Sequence, residues 1–124
     1  MPTALSCRPF PCRRGRTPLP EIELRPLLHI ALHVLVPVAT ARLFWPAQWK
    51  RAALWMLAGW AIDIDHLLAD PVYAPGRCSI GFHPLHTWPA IALYGALALP
   101  RRTRWFGIGL LIHIVLDGID CLCM

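Results

Sequence analysis

Apolar residues gather in four long runs along this chain, at residues 27–45, 52–69, 84–99 and 106–122, separated by short turns rich in proline, glycine or arginine. Runs of this length without two-residue alternation predict helices, and most come near the 18–20 apolar residues that cross a bilayer. The expected fold is all-α: a four-helix transmembrane bundle with those four runs as its spans. Residues 1–26 differ in kind, with Pro2, Pro9, Pro11, Pro18, Pro20 and Pro26 interleaved with Arg8, Arg13, Arg14, Arg16 and Arg25. They have no apolar centre of the kind a secretory signal needs, and read as a disordered tail before a membrane domain at 27–124.

Details of the runs refine this. Pro37 falls inside the first and frees the carbonyl of His33, four residues back. Pro84 suits the first helical position of the third run, whose residues 84–99 reach only about 24 Å at about 1.5 Å per residue. Against a hydrocarbon core of about 30 Å, that helix is expected to begin below the lipid surface. Residues 70–83 hold two prolines and two glycines and are expected to form a loop.

Composition supports a membrane setting: 56% of the residues are hydrophobic and only 15% charged, too apolar for an ordinary soluble domain of this size. The net charge of +5 does not indicate a nucleic-acid partner, because the basic residues sit in short clusters beside the runs and form no basic face with interleaved aromatics. Membrane lipid is the expected partner. Arg42, Lys50, Arg51, Arg101, Arg102 and Arg104 flank one side, against Arg25 and Arg77 on the other. The positive-inside rule then puts the second side outside the cytoplasm, facing the periplasm of a bacterial inner membrane; counting the tail arginines makes the sides equal.

The candidate chemistry begins at Asp63-Ile64-Asp65-His66, near the end of the second run. Ionisable groups in a membrane helix cost roughly 2.5–3.5 kcal/mol each on insertion scales, so by default they suggest function. Alternating spans bring the start of the first run, the end of the second, the following loop and the end of the fourth to one membrane side. Those places hold His29 and His33; Asp63, Asp65 and His66; His83 and His86; and His113, Asp117 and Asp120. Within runs, His29/His33 and His113/Asp117 are spaced i,i+4 and Asp63/His66 i,i+3, so each pair shares a helix face.

Imidazole and carboxylate donors together favour a divalent metal, zinc first, with manganese or iron(II) as alternatives. The expected ligand pool is His33, Asp63, His66, His83, His86, His113 and Asp117. At 100° per residue Asp65 lies about 200° from Asp63, which assigns it a different role, as catalytic base or as the group that orients a histidine. His29, nearest a helix start, reads as a hydrogen-bonded core residue. Two metals, or one metal with base and substrate-binding residues, both fit the pool. The competing readings are a metal-free polar network between helices and a bis-histidine haem site, which gives no reason for the acids. Cys78 and Cys121 fall on the same side, as a disulfide between loop and last span, as unpaired thiols, or as a thiolate metal ligand, for which the supply of nitrogen and oxygen donors leaves less need.

The segments 62–69, 77–86 and 113–121 together resemble the bacterial membrane family called domain of unknown function 6122, a likeness that covers residue 27 to the C-terminus and implies no activity. More distantly, Asp63, Asp65 and His66, then His83 and His86-Thr87, then His113 and Asp117 follow a motif order similar to that of the inner-membrane metal-dependent hydrolases. Pro84-Leu85 stands where that family carries an arginine-containing segment, so an arginine able to bind phosphate is missing. The resemblance implies a metal-dependent hydrolase acting on a lipid-like ester or phosphoester, a possible amphiphilic substrate. The alternative is a non-enzymatic membrane protein whose helices are held by a structural metal or polar network.

Overall fold

The computed structural model describes residues 24–72, 74 and 77–123. The expected disordered tail therefore lies almost wholly outside the described residues. These residues fold entirely as helices, turns and loops, with no strand among them. Helix α1 spans Leu24–Phe44, α2 Trp49–Ala58, α3 Trp88–Ala98 and α4 Arg104–Leu122, with 3₁₀ segments at Pro46–Gln48, Gly59–Leu68 and Pro84–His86. Helix α4 packs on all three others.

Of the four expected spans, two coincide with helices long and apolar enough to cross a membrane, α1 and α4. The second run divides at Gly59 into α2 and a ten-residue 3₁₀ helix. The third run divides at Thr87, which is extended at φ −86° and ψ 159°. Pro89 explains that break. Continuing the helix back through residue 85 would require an N–H that proline lacks and would drive its ring into the Leu85 carbonyl. That carbonyl is taken instead by the Tyr94 hydroxyl, which donates to it at 2.8 Å. Helix α1 begins three residues before the apolar run, with Pro26 in its first turn, where a missing N–H costs nothing, and it continues through Pro37.

Two apolar clusters flank α4. Ala41, Ala52, Ala53 and Met56 join α1 to α2, with Trp45, Trp49 and Trp105 packed against them. Ile62, Tyr94, Leu110 and Ile114 join the 3₁₀ helix, α3 and α4. Between them the backbones nearly touch. A Cβ on Gly109 would overlap the Met56 backbone, and one on Gly59 would lie 2.8 Å from the Leu110 nitrogen. Small residues at such crossings let helices approach closely, the main source of helix association where lipid removes the hydrophobic drive.

Candidate metal centre

The 3₁₀ helix decides which side chains point inward. At three residues per turn, Gly59, Ile62 and Asp65 line one face, and these are its buried residues. Trp60, Asp63 and His66 line another. The Trp60 indole N–H donates to Asp63 Oδ2 at 2.7 Å, leaving Oδ1 for the site. The α-helical expectation is thereby altered: Asp65 is the more enclosed carboxylate and Asp63 the more open one.

Asp65 is fully engaged. Its Oδ2 accepts the Leu85 backbone N–H at 2.8 Å and His86 Nδ1–H at 3.2 Å, while Oδ1 lies 3.1 Å from His66 Nδ1. A carboxylate only accepts, so His86 carries its proton on Nδ1 and turns Nε2 away. His33 is set in the same manner, its Nδ1–H donating to the His29 carbonyl at 2.9 Å within α1.

The nitrogens left over converge on Asp117. Its Oδ2 lies 3.1 Å from His86 Nε2 and 3.5 Å from His113 Nε2. Its Oδ1 lies 3.3 Å from His29 Nε2 and 3.4 Å from His33 Nε2. Asp63 Oδ1 completes the first set, 2.9 Å from His113 Nε2 and 3.6 Å from His86 Nε2. Three groups of donor atoms, each mutually within 4.8 Å, result: Asp63/His86/His113/Asp117, His29/His33/Asp117 and Asp65/His66/His83.

Several of these atoms are close without bonding. His33 Nε2, His86 Nε2, His113 Nδ1 and Asp117 Oδ2 are buried and make no hydrogen bond. Each such group left unsatisfied costs about 1–3 kcal/mol, which a cation between His86 Nε2 and Asp117 Oδ2 would relieve for those two atoms. The residues present therefore fit a divalent ion with nitrogen and oxygen ligands.

The third group is arranged differently. The His66 and His83 rings stack at 3.9 Å, and His66 Nε2 lies 3.2 Å from the Ser79 hydroxyl. His66 and His83 thus stand together beside Asp65, away from Asp117.

Cys78 and Cys121 form a disulfide with their Cα atoms 5.0 Å apart, tying the loop to the end of α4. Cys123 is free and exposed. Asp120, one turn beyond Asp117, pairs with Arg25 at 3.0 Å.

Residues 23–124 match the family described as "Family of unknown function (DUF6122)". The chain belongs to this family. No curated protein and no solved structure matches it. The DUF6122 region takes in every helix described above, and with it all three donor groups.

Every residue of the expected ligand pool falls in one of the three groups, though His66 and His83 share theirs with Asp65 and not with the other five. His29, which the sequence suggests as a core histidine, faces Asp117. The i,i+4 spacing to His33 was the signal for it, outweighed by a position near the helix start. Ser79 carried no signal at all, since its approach to His66 depends on how the loop folds.

Proposed function

We propose that this chain is an integral membrane metalloprotein whose Asp63, His86, His113 and Asp117 hold a divalent ion, zinc first, and that it hydrolyses an ester or phosphoester of a membrane amphiphile. The observation that carries the reading is the enclosed approach of His86 Nε2 to Asp117 Oδ2, 3.1 Å apart with neither atom in a hydrogen bond. A bound ion would supply Lewis acidity, polarising an ester oxygen and lowering the pKa of a water towards about 7. Asp65 holds His86 in the tautomer that leaves Nε2 free, and with both its oxygens occupied it suits this orienting role better than that of a base. The motif order shared with the inner-membrane metal-dependent hydrolases points the same way.

The membrane setting is supported by where the apolar surface lies. In the most apolar window of α1 only 17% is buried, too little for the core helix of a soluble protein. Leu27, Leu35, Leu43, Phe44, Leu54 and Leu67 are all exposed. Helix α2 with its 3₁₀ continuation covers about 35 Å at rises of about 1.5 and 2.0 Å per residue, enough to cross. Helix α3 covers about 17 Å. In the turn before it His83 and His86 are buried, while Phe82 and Leu85 are exposed. The disulfide suits an oxidising compartment, and so a periplasmic site.

Metal analysis of detergent-purified protein, with phosphate and fatty-acid release measured on vesicles containing phosphatidic acid and phosphatidylglycerol, tests both parts. Bound zinc with release from either lipid, both lost in His86→Ala, is the expected result. Absence of bound metal would overturn the reading. Bound metal without release from either lipid would favour a structural ion, a role suited to a quartet that joins the 3₁₀ helix, the Pro84–His86 turn and α4.

A further inference from the structure

The two oxygens of Asp117 face different partners, His29 and His33 on Oδ1 and His86 and His113 on Oδ2. We infer that His29, His33 and Asp117 Oδ1 form a second metal site, bridged by the Asp117 carboxylate to the ion at Asp63, His86, His113 and Asp117 Oδ2. The inference rests on the metal reading above and adds to it the number of ions and the side from which a ligand enters.

Geometry gives the second group its own claim. His29 Nε2 and His33 Nε2 lie 3.3 and 3.4 Å from the same oxygen, Oδ1, while His86 and His113 approach Oδ2. His33 is buried, its proton is fixed on Nδ1 by the His29 carbonyl, and its Nε2 has no hydrogen-bond partner. That is a lone pair committed to the space beside Asp117. The His33 and His113 rings meet edge to face at 4.4 Å, so the two groups are adjacent. Paired ions in hydrolytic centres lie about 3.5–4 Å apart, a separation that one carboxylate spans with an oxygen on each.

The groups differ in ligand count and exposure. The Asp63 group offers four donors and the His29 group three, so an ion held by the His29 group keeps a position free for an added ligand, as catalytic zinc sites do. His29 is also the accessible member, its side chain 31% exposed against 3% for His33. The open ion therefore faces outward and takes an exogenous oxygen ligand, of which a phosphate oxygen is the chemistry that suits a metal pair best.

Manganese(II) substitution of the full chain in detergent, read by metal analysis and electron paramagnetic resonance, tests this without any turnover assay. Two manganese ions per chain with an exchange-coupled spectrum are expected, along with a change in that spectrum on adding inorganic phosphate. His29→Ala, at a half-buried position, should keep one ion, show an isolated-ion spectrum and lose the response to phosphate. Circular dichroism and size-exclusion behaviour establish that the variant is folded, and the wild-type measurement decides the ion count without it. One ion per chain with an isolated spectrum, retained in His29→Ala and lost in His86→Ala, overturns the second site and leaves the first standing. No ion in the wild type overturns both. Two coupled ions indifferent to phosphate would overturn the open, ligand-accepting position.

Discussion

Asp65 Oδ2 lies 3.2 Å from His86 Nδ1, and through that contact a carboxylate outside the donor quartet sets the direction of a nitrogen inside it. Hydrogen-bond partners of this kind typically govern metal affinity by about 10–100-fold. Asp65→Asn is expected to weaken zinc binding by about that factor in a chelator competition while keeping the ion at saturation. Unchanged affinity would remove the orienting role.

Removing the metal should cost stability. An ion bound only by the folded chain stabilises it by about 4 kcal/mol at a thousandfold excess over Kd. Thermal unfolding in detergent is expected to move to lower temperature with a chelator and to recover on adding zinc. Asp117→Asn should unfold at the lower temperature in either condition, because it removes a donor common to both groups.

Gly109→Ala places a methyl group in the Met56 backbone and should destabilise by about 1–3 kcal/mol or more, as overpacking does. Gly95→Ala is the control. Nothing lies near a Cβ there, and alanine is the better helix former by about 1 kcal/mol, so unfolding should be unchanged or slightly delayed. Equal effects at the two positions would contradict the close α2–α4 crossing.

The disulfide closes a sequence separation of 43 residues, for which chain entropy gives about 4 kcal/mol. Cys78→Ser is expected to lower stability by up to that amount and to loosen Ser79 from His66. In a Cys7→Ser/Cys12→Ser background, a membrane-impermeant maleimide should label only Cys123 until a reductant is added. Labelling of intact spheroplasts would support the periplasmic side; labelling of inverted vesicles alone would reverse it.

Much of this was legible in advance because expensive residues are easy to see in an apolar chain. Histidines and aspartates standing in runs of leucine and alanine marked the site, and alternation of direction brought them together without knowledge of any contact. Local backbone form was harder to read. An apolar pattern looks the same whether three or 3.6 residues make a turn, so the 3₁₀ helix through Asp63 and Asp65, and the exchange in their enclosure, could not be seen. Pro89 did carry a readable signal against a helix continuous through residue 85, although Pro84 suits a helix start equally well. Run length overstated α-helix length, because the second and third runs are each shared between an α-helix and a 3₁₀ segment.

Gly109 sits four residues before His113 and eight before Asp117, on the same face of α4. Its missing side chain lets that face settle against Met56, and the approach of His113 to Asp63 follows from how deeply it settles. The spacing of the donor atoms is thus gauged by an empty position one turn away, in apolar surroundings. Ion size would be read by interhelical spacing as much as by the ligands, so changes in metal preference should also arise from substitutions that bear no donor atom.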